Sequence, residues 1–332
     1  MFMQPGIIAL IIGSAIVILL VSYAAMLGIR IIRRWDIKSS SEGQLSLERK
    51  TYLVSTLVHY ALAFEILSIF LFIYIAEDIH TLLVGAMCAT GSLNANSFGF
   101  PVLYVKIAAF FFSAAWIAIN GLDNRAEDYP LIRMKYKLLL AVLAILAVEF
   151  YLQLQYFLKI NPNVITSCCG VMFSEKGKGL ISSLTAAPLL PTEILFYSLM
   201  AVLVATGIAV YRTQRRPFTY LFSIFSSVFF IVSIISIITF ISLYFYQLPT
   251  HHCPFDILQS EYYYAGYPLY ASLFTGSFLG IMVGIIERFK KIPSLTHVII
   301  QAQKRWTLYA VIALTIFAIF SSLPMILLPF KL

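Results

Sequence analysis

The sequence predicts an all-α, polytopic membrane protein with eight transmembrane helices, on three observations. Of its 332 residues, 61% are hydrophobic and only 11% charged, whereas soluble domains carry about 25% charged residues. The apolar residues fall in eight long runs, and basic residues gather in every second connection between them. No water-soluble fold could hide this much apolar surface, so the expected solvent is a lipid bilayer. The runs are continuous rather than alternating, which selects helices over a closed barrel.

A spanning helix needs about 20 mainly apolar residues. The runs that qualify are 5–29, 52–75, 101–120, 137–158, 192–211, 217–246, 266–286 and 306–329. The first run contains Ser22-Tyr23-Ala24, which looks like a signal-peptidase site. However, no positive charge precedes the run, and Arg30, Arg33 and Arg34 follow it. A secretory signal has the reverse order, so a retained helix is expected.

The first, third, fifth and seventh connections hold 18 Lys and Arg residues, from Arg30 to Arg305. The other side holds five: Lys106, Lys159, Lys176, Lys178 and Lys331. The positive-inside rule places the basic connections in the cytoplasm. Both termini are then extracytoplasmic, and the cell (inner) membrane is the expected location. This bias also accounts for the net charge of +8. No basic stripe with interleaved aromatics occurs, so nucleic acid is not expected as a partner.

The two halves echo each other. Arg30-Ile31-Ile32-Arg33-Arg34 closes the first span, and Arg212-Thr213-Gln214-Arg215-Arg216 follows the fifth. Cys88 and then Gly99-Phe100-Pro101 lead into the third span, as Cys253 and then Gly266-Tyr267-Pro268 lead into the seventh. Leu140-Ala141-Val142 opens the fourth, and Tyr309-Ala310-Val311 sits at the same place in the eighth. These matches predict a parallel tandem repeat of two four-helix units, an arrangement that places a site between halves in some transporters. The expected organisation is a first unit at 1–160, a connecting loop at 161–191 and a second unit at 192–332.

All four cysteines, Cys88, Cys168, Cys169 and Cys253, fall in connections expected on the extracytoplasmic side. Three chemistries compete for them. In an oxidising compartment they form structural disulfides, and the symmetry of the halves pairs Cys88 with one of Cys168 and Cys169, and Cys253 with the other. In the second reading they exchange electrons. A bridge between vicinal Cys168 and Cys169 is short, strained and easily reduced, and His252 and Pro254 flank Cys253. A quinone in the membrane and an extracytoplasmic thiol protein are the expected carrier and partner. Against this stands the lack of any C-x-x-C, because Asp256 occupies the place of its second cysteine. The third reading is a soft metal ion such as copper, with Cys88, Cys168, Cys169, Cys253, His251 and His252 as candidate ligands. Tyr262, Tyr263 and Tyr264 beside this loop fit an interfacial aromatic belt.

Polar residues inside spans mark function by default. Glu149, Gln153 and Tyr156 share one face of the fourth span, as either a proton or substrate path or a packing contact. Glu65 lies in the second span. Lys106, in the third, is expected to snorkel outward and to sit too near the surface to meet Glu149. These residues support a rival function, a permease or a membrane subunit of a transport complex, with other membrane subunits as partners. The sequence contains no phosphate-binding glycine loop, H-E-x-x-H or G-x-S-x-G.

Overall fold

A computed structural model describes residues 4–37, 39, 41–162 and 188–328. Among them all regular structure is helical, and eight helices are long and apolar enough to cross a membrane. Each expected span corresponds to one of them, and most helices outrun their apolar stretch.

The first four spans are α1 (Pro5–Arg34), α2 (Glu42–Ile79), α4 (Gly99–Asp123) and α5 (Ile132–Leu158), with the short α3 (Ala89–Leu93) between α2 and α4. The rest are α6 (Leu189–Thr213), α7 (Arg216–Ser236), α9 (Gly266–Ile285) and α10 (Thr296–Leu327). A five-residue π-helical segment, Ile237–Ile241, continues α7 into the short α8 (Ser242–Tyr246). Local sequence sets the ends. Pro5 opens α1, where its missing N–H costs nothing, and Arg33 and Arg34 close it against the negative end of the helix dipole. Gln214 caps α6 in the left-handed conformation (φ 50°). Arg215 follows in an extended conformation, so α7 starts at once with Pro217 in its first turn.

The chain forms two compact units. One comprises residues 4–76, 93–162 and 292–298. In it α5 packs on α1 and α4, around a core that includes Val21, Val58, Trp116, Leu139 and Val142. Its α4–α5 turn is locked by charge. Lys135 Nζ lies 2.8 Å from Asp123 Oδ2, both side chains are buried, and Asp123 Oδ1 accepts the Leu131 N–H at 2.7 Å. Lys135, counted among the cytoplasmic charges, is therefore a structural residue.

The other unit comprises residues 77–92, the described part of 163–291 and 299–328. Its helices α6, α7 and α9 pack in series, with Phe196, Phe222, Phe229, Leu273 and Phe317 in the core. The α7–α9 contact is made by small residues. Gly280 and Gly284 lie one turn apart on the side of α9 that meets α7, whereas a side chain at Gly276 would meet Leu314 of α10. A side chain at Gly280 would collide with Ser226, and one at Gly284 with Ser223. Ser223 donates across this contact to the Ile281 carbonyl at 2.9 Å. Close approach through small residues is how helices associate where lipid supplies no hydrophobic drive.

Gly280→Ala is therefore expected to destabilise the protein by about 1–3 kcal/mol through overpacking, read as a lower thermal midpoint in detergent. Adding Ser226→Gly should recover most of the loss. Gly43→Ala, which meets nothing within 4 Å, should be nearly neutral.

Candidate thiol site

The connection from α8 to α9 is built on hydroxyls. Gln247 reverses the chain with a left-handed backbone (φ 53°). The Tyr246 hydroxyl donates to the Cys253 carbonyl at 2.6 Å and accepts the Ile257 N–H at 2.9 Å. The Tyr270 hydroxyl, on α9, donates to the Pro254 carbonyl at 2.6 Å. The π-helical segment presents the Ile238 carbonyl to His252 Nδ1 at 2.8 Å. Such segments interrupt the regular ladder and recur at functional sites. Asp256–Leu258 forms a single 3₁₀ turn, and Gly266 then begins α9 so close to Leu258 that a side chain would not fit.

Residues 77–92 belong to the same unit. The Glu77 carboxylate accepts the Ala89 N–H and the Gln259 side-chain amide, both at 2.6 Å. Gln259 also donates to the Met87 carbonyl at 3.1 Å. Glu77 and Gln259 thus clip residues 87–89 to the 247–265 connection.

The clip brings two sulfurs together. Cys88 Sγ and Cys253 Sγ lie 3.5 Å apart, and both are fully buried. Thr90 Oγ1 is 3.3 Å from Cys253 Sγ, and the Phe255 N–H donates to the same sulfur at 3.4 Å. Asp256 joins them, with Cys88 Sγ, Cys253 Sγ and a carboxylate oxygen all within 4.8 Å of one another. His251 Nε2 bonds Asp256 Oδ2, and the Tyr246 ring packs edge-on against the imidazole at 4.8 Å. Asp256 Oδ1 is buried without a hydrogen-bond partner. The hydrogen bond to Asp256 holds the His251 imidazole above its ordinary pKa, against the opposing effect of burial. Burial raises the Asp256 carboxyl, and His251 limits that rise.

Cys88 faces Cys253, while the expected pairing of each with Cys168 or Cys169 involves residues outside the described ones. His251 is at the cluster, whereas His252 is held by the Ile238 carbonyl. Asp256 carries one of the three chemical groups of the site, although in the sequence it counted only as an obstacle to C-x-x-C. Glu77, Gln259, Thr90 and Tyr246 were not anticipated. Of these, only Glu77 left a sequence signal, a carboxylate at the very end of an apolar run.

The intramembrane residues sit in the other unit. Glu65, Lys106, Glu149 and Gln153 are all buried. Lys106 does not snorkel, since its ammonium bonds Glu149. Lys106 is seven residues into α4 and Glu149 nine from the end of α5. At 1.5 Å per residue their depths differ by only about 3 Å, which a lysine side chain spans. Gln153 donates to Ser14 at 3.3 Å.

Comparison with family models, characterised proteins and solved structures finds no match.

The His251–Asp256 bond yields a pH signature. A raised histidine pKa means stabilisation that is present below the unfolded value and lost as pH rises through the folded one. At the acid end the bond weakens when the Asp256 carboxyl protonates, which its own upward shift brings on sooner. The thermal midpoint of the native protein should therefore exceed that of His251→Gln most at mildly acidic pH, and the gap should close as the solution becomes alkaline. Melting curves of both proteins across that range check it.

Proposed function

We propose that the protein is a membrane-embedded thiol redox device whose working pair is Cys88 and Cys253. The observation that supports this most is two fully buried sulfurs 3.5 Å apart, delivered by segments 165 residues apart. Oxidation breaks two S–H bonds and forms one S–S bond. Two electrons pass to a quinone-class carrier in the bilayer, which takes up two protons and becomes the quinol. The two thiol protons leave by way of the Asp256 carboxylate, which His251 orients. The disulfide is then reduced by a dithiol, so that two S–H bonds re-form and the donor becomes the disulfide. Cys168 and Cys169 are the proposed donor within the chain, recharged by an extracytoplasmic thiol protein.

The same reading places the cluster on the extracytoplasmic face of the cell membrane, because the basic connections occupy the other side. It also takes the chain as a tandem duplication. In its favour, Gly99 and Gly266 each open a span where no side chain fits, against Leu93 and Leu258 respectively. Cys88 and Cys253 stand at matching places before them.

A second reading, a soft metal ion, is favoured by the Cys88–Cys253–Asp256 grouping within 4.8 Å. Two thiolates and a carboxylate suit a thiophilic ion of low coordination number. Incubating the reduced protein with Cu(I) and removing free metal should then leave about one ion per chain, protecting both cysteines from alkylation. Loss of binding in Asp256→Asn as well as in Cys88→Ser would support this reading.

The redox proposal is tested in a Cys168→Ser, Cys169→Ser background. A water-soluble quinone should remove both remaining thiols, counted by maleimide, and a mild dithiol should restore them. Cys88→Ser or Cys253→Ser should abolish the change. Two maleimide-reactive thiols persisting after quinone treatment would defeat the proposal.

A further inference from the structure

The first unit holds a buried charged cluster. Lys106 Nζ donates to Glu149 Oε1 and, at 2.9 Å, to Ser68 Oγ, and it stands 3.7 Å from Glu65 Oε1. Ser68 in turn donates to Glu65 Oε1 at 2.8 Å. All three ionisable side chains are at most 2% exposed. Glu149 lies about 14 Å along its helix from the nearer end, and the Lys106 ammonium packs over the Phe72 ring at 5.8 Å. The groups come from three helices: α2 gives Glu65, α4 gives Lys106 and α5 gives Glu149. From α1, Ser14 reaches Gln153, one turn beyond Glu149, but α1 brings no charge to the cluster.

The charge count does not close. Two carboxylates face one ammonium, which leaves one negative charge in a medium where an uncompensated ion costs several kcal/mol. Glu149 Oε2 is buried with no hydrogen-bond partner, so one carboxyl oxygen is free to carry the missing positive charge as a proton. We propose that Glu65, Glu149 and Lys106 form an intramembrane proton-binding site that holds one exchangeable proton on its carboxyl pair. The three side chains are then neutral as a set, and the ammonium fixes which oxygens compete for the proton. A single carboxylate paired with Lys106 would need no such proton. The second carboxyl therefore distinguishes a site that takes up and releases protons from a structural ion pair.

The test is infrared difference spectroscopy on the full-length protein in lipid, between neutral and strongly alkaline buffer. The native protein should show the C=O stretch of one protonated carboxyl, shifted in D₂O. Glu65→Gln and Glu149→Gln each leave one carboxylate for one ammonium, so each should lose the band entirely. Cys88→Ser should keep it, which separates this site from the thiol chemistry. No band in the native protein, or a band that survives in both glutamine variants, overturns the proposal. If Glu149→Gln fails to fold, Glu65→Gln alone decides the matter, since it preserves the Lys106–Glu149 pair.

Discussion

Hydrocarbon offers a buried polar group nothing to bond to, and every notable feature of this chain answers that constraint. An unpaired hydrogen-bonding group in such a medium costs several kcal/mol. The two units meet the demand differently. The first gathers its ionisable groups into buried clusters, Lys106 with Glu65 and Glu149, and Lys135 with Asp123. Within its spans the second buries one carboxylate, Glu287, against Arg216 and Lys290, and otherwise uses hydroxyls. Ser226, Ser227, Thr239, Ser321 and Ser322 each bond back to the carbonyl four residues earlier. This local back-bonding needs no neighbour. It leaves the helix faces of this unit small and smooth enough for glycine-mediated contact.

The same constraint explains how irregular chain fixes two sulfurs in place. The 247–265 connection has little repetitive structure to satisfy its own backbone. Two tyrosine hydroxyls and an amide side chain do that work, each tying together backbone groups or segments. Removing the Tyr246 hydroxyl leaves a buried carbonyl and N–H without their partner, at about 1–3 kcal/mol. The sulfur separation is therefore a property of the Tyr246, Tyr270 and Gln259 network as much as of the cysteines. The π-helical segment contributes to this network by turning the Ile238 carbonyl toward His252.

The spans were legible because hydropathy is a one-dimensional property. Leu, Ile, Phe and Val report burial in lipid wherever they lie, and so all eight helices follow from the sequence. Partners were not legible, because they depend on depth and rotation. Lys106 and Glu149 lie 43 residues apart on antiparallel helices, and a helix-end error of two residues already moves either by about 3 Å. That error was enough to judge the pair out of reach. The glycine stripe of α9 was readable in principle from its spacing of four, yet its contact with Ser223 and Ser226 required the fold. Cys88 and Cys253 were expected on one face and near one another, as relay or as ligands of one ion, but their direct contact was not. Sequence symmetry identifies residues that do the same job, while contact is decided by loop paths that no periodicity records.

Asp256 shows what this arrangement gains by departing from a C-x-x-C. Two thiols in one short loop would close a bond that constrains only a few residues. Here the cysteines belong to segments 165 residues apart, and a bond between them would remove about 5 kcal/mol of unfolded-chain entropy. Oxidation of this pair would thus change the stability of the whole unit, whereas oxidation of a C-x-x-C changes that of one turn. The reduced state can tolerate the loss of that bond because the Glu77–Gln259 clip holds the same two segments without it. With the second thiol supplied from afar, the fourth position of the motif is free for a different group. In the proposed redox reaction, a carboxylate there would provide what a thiol pair in an apolar pocket lacks, a place for the proton that must leave before sulfur can bond to sulfur.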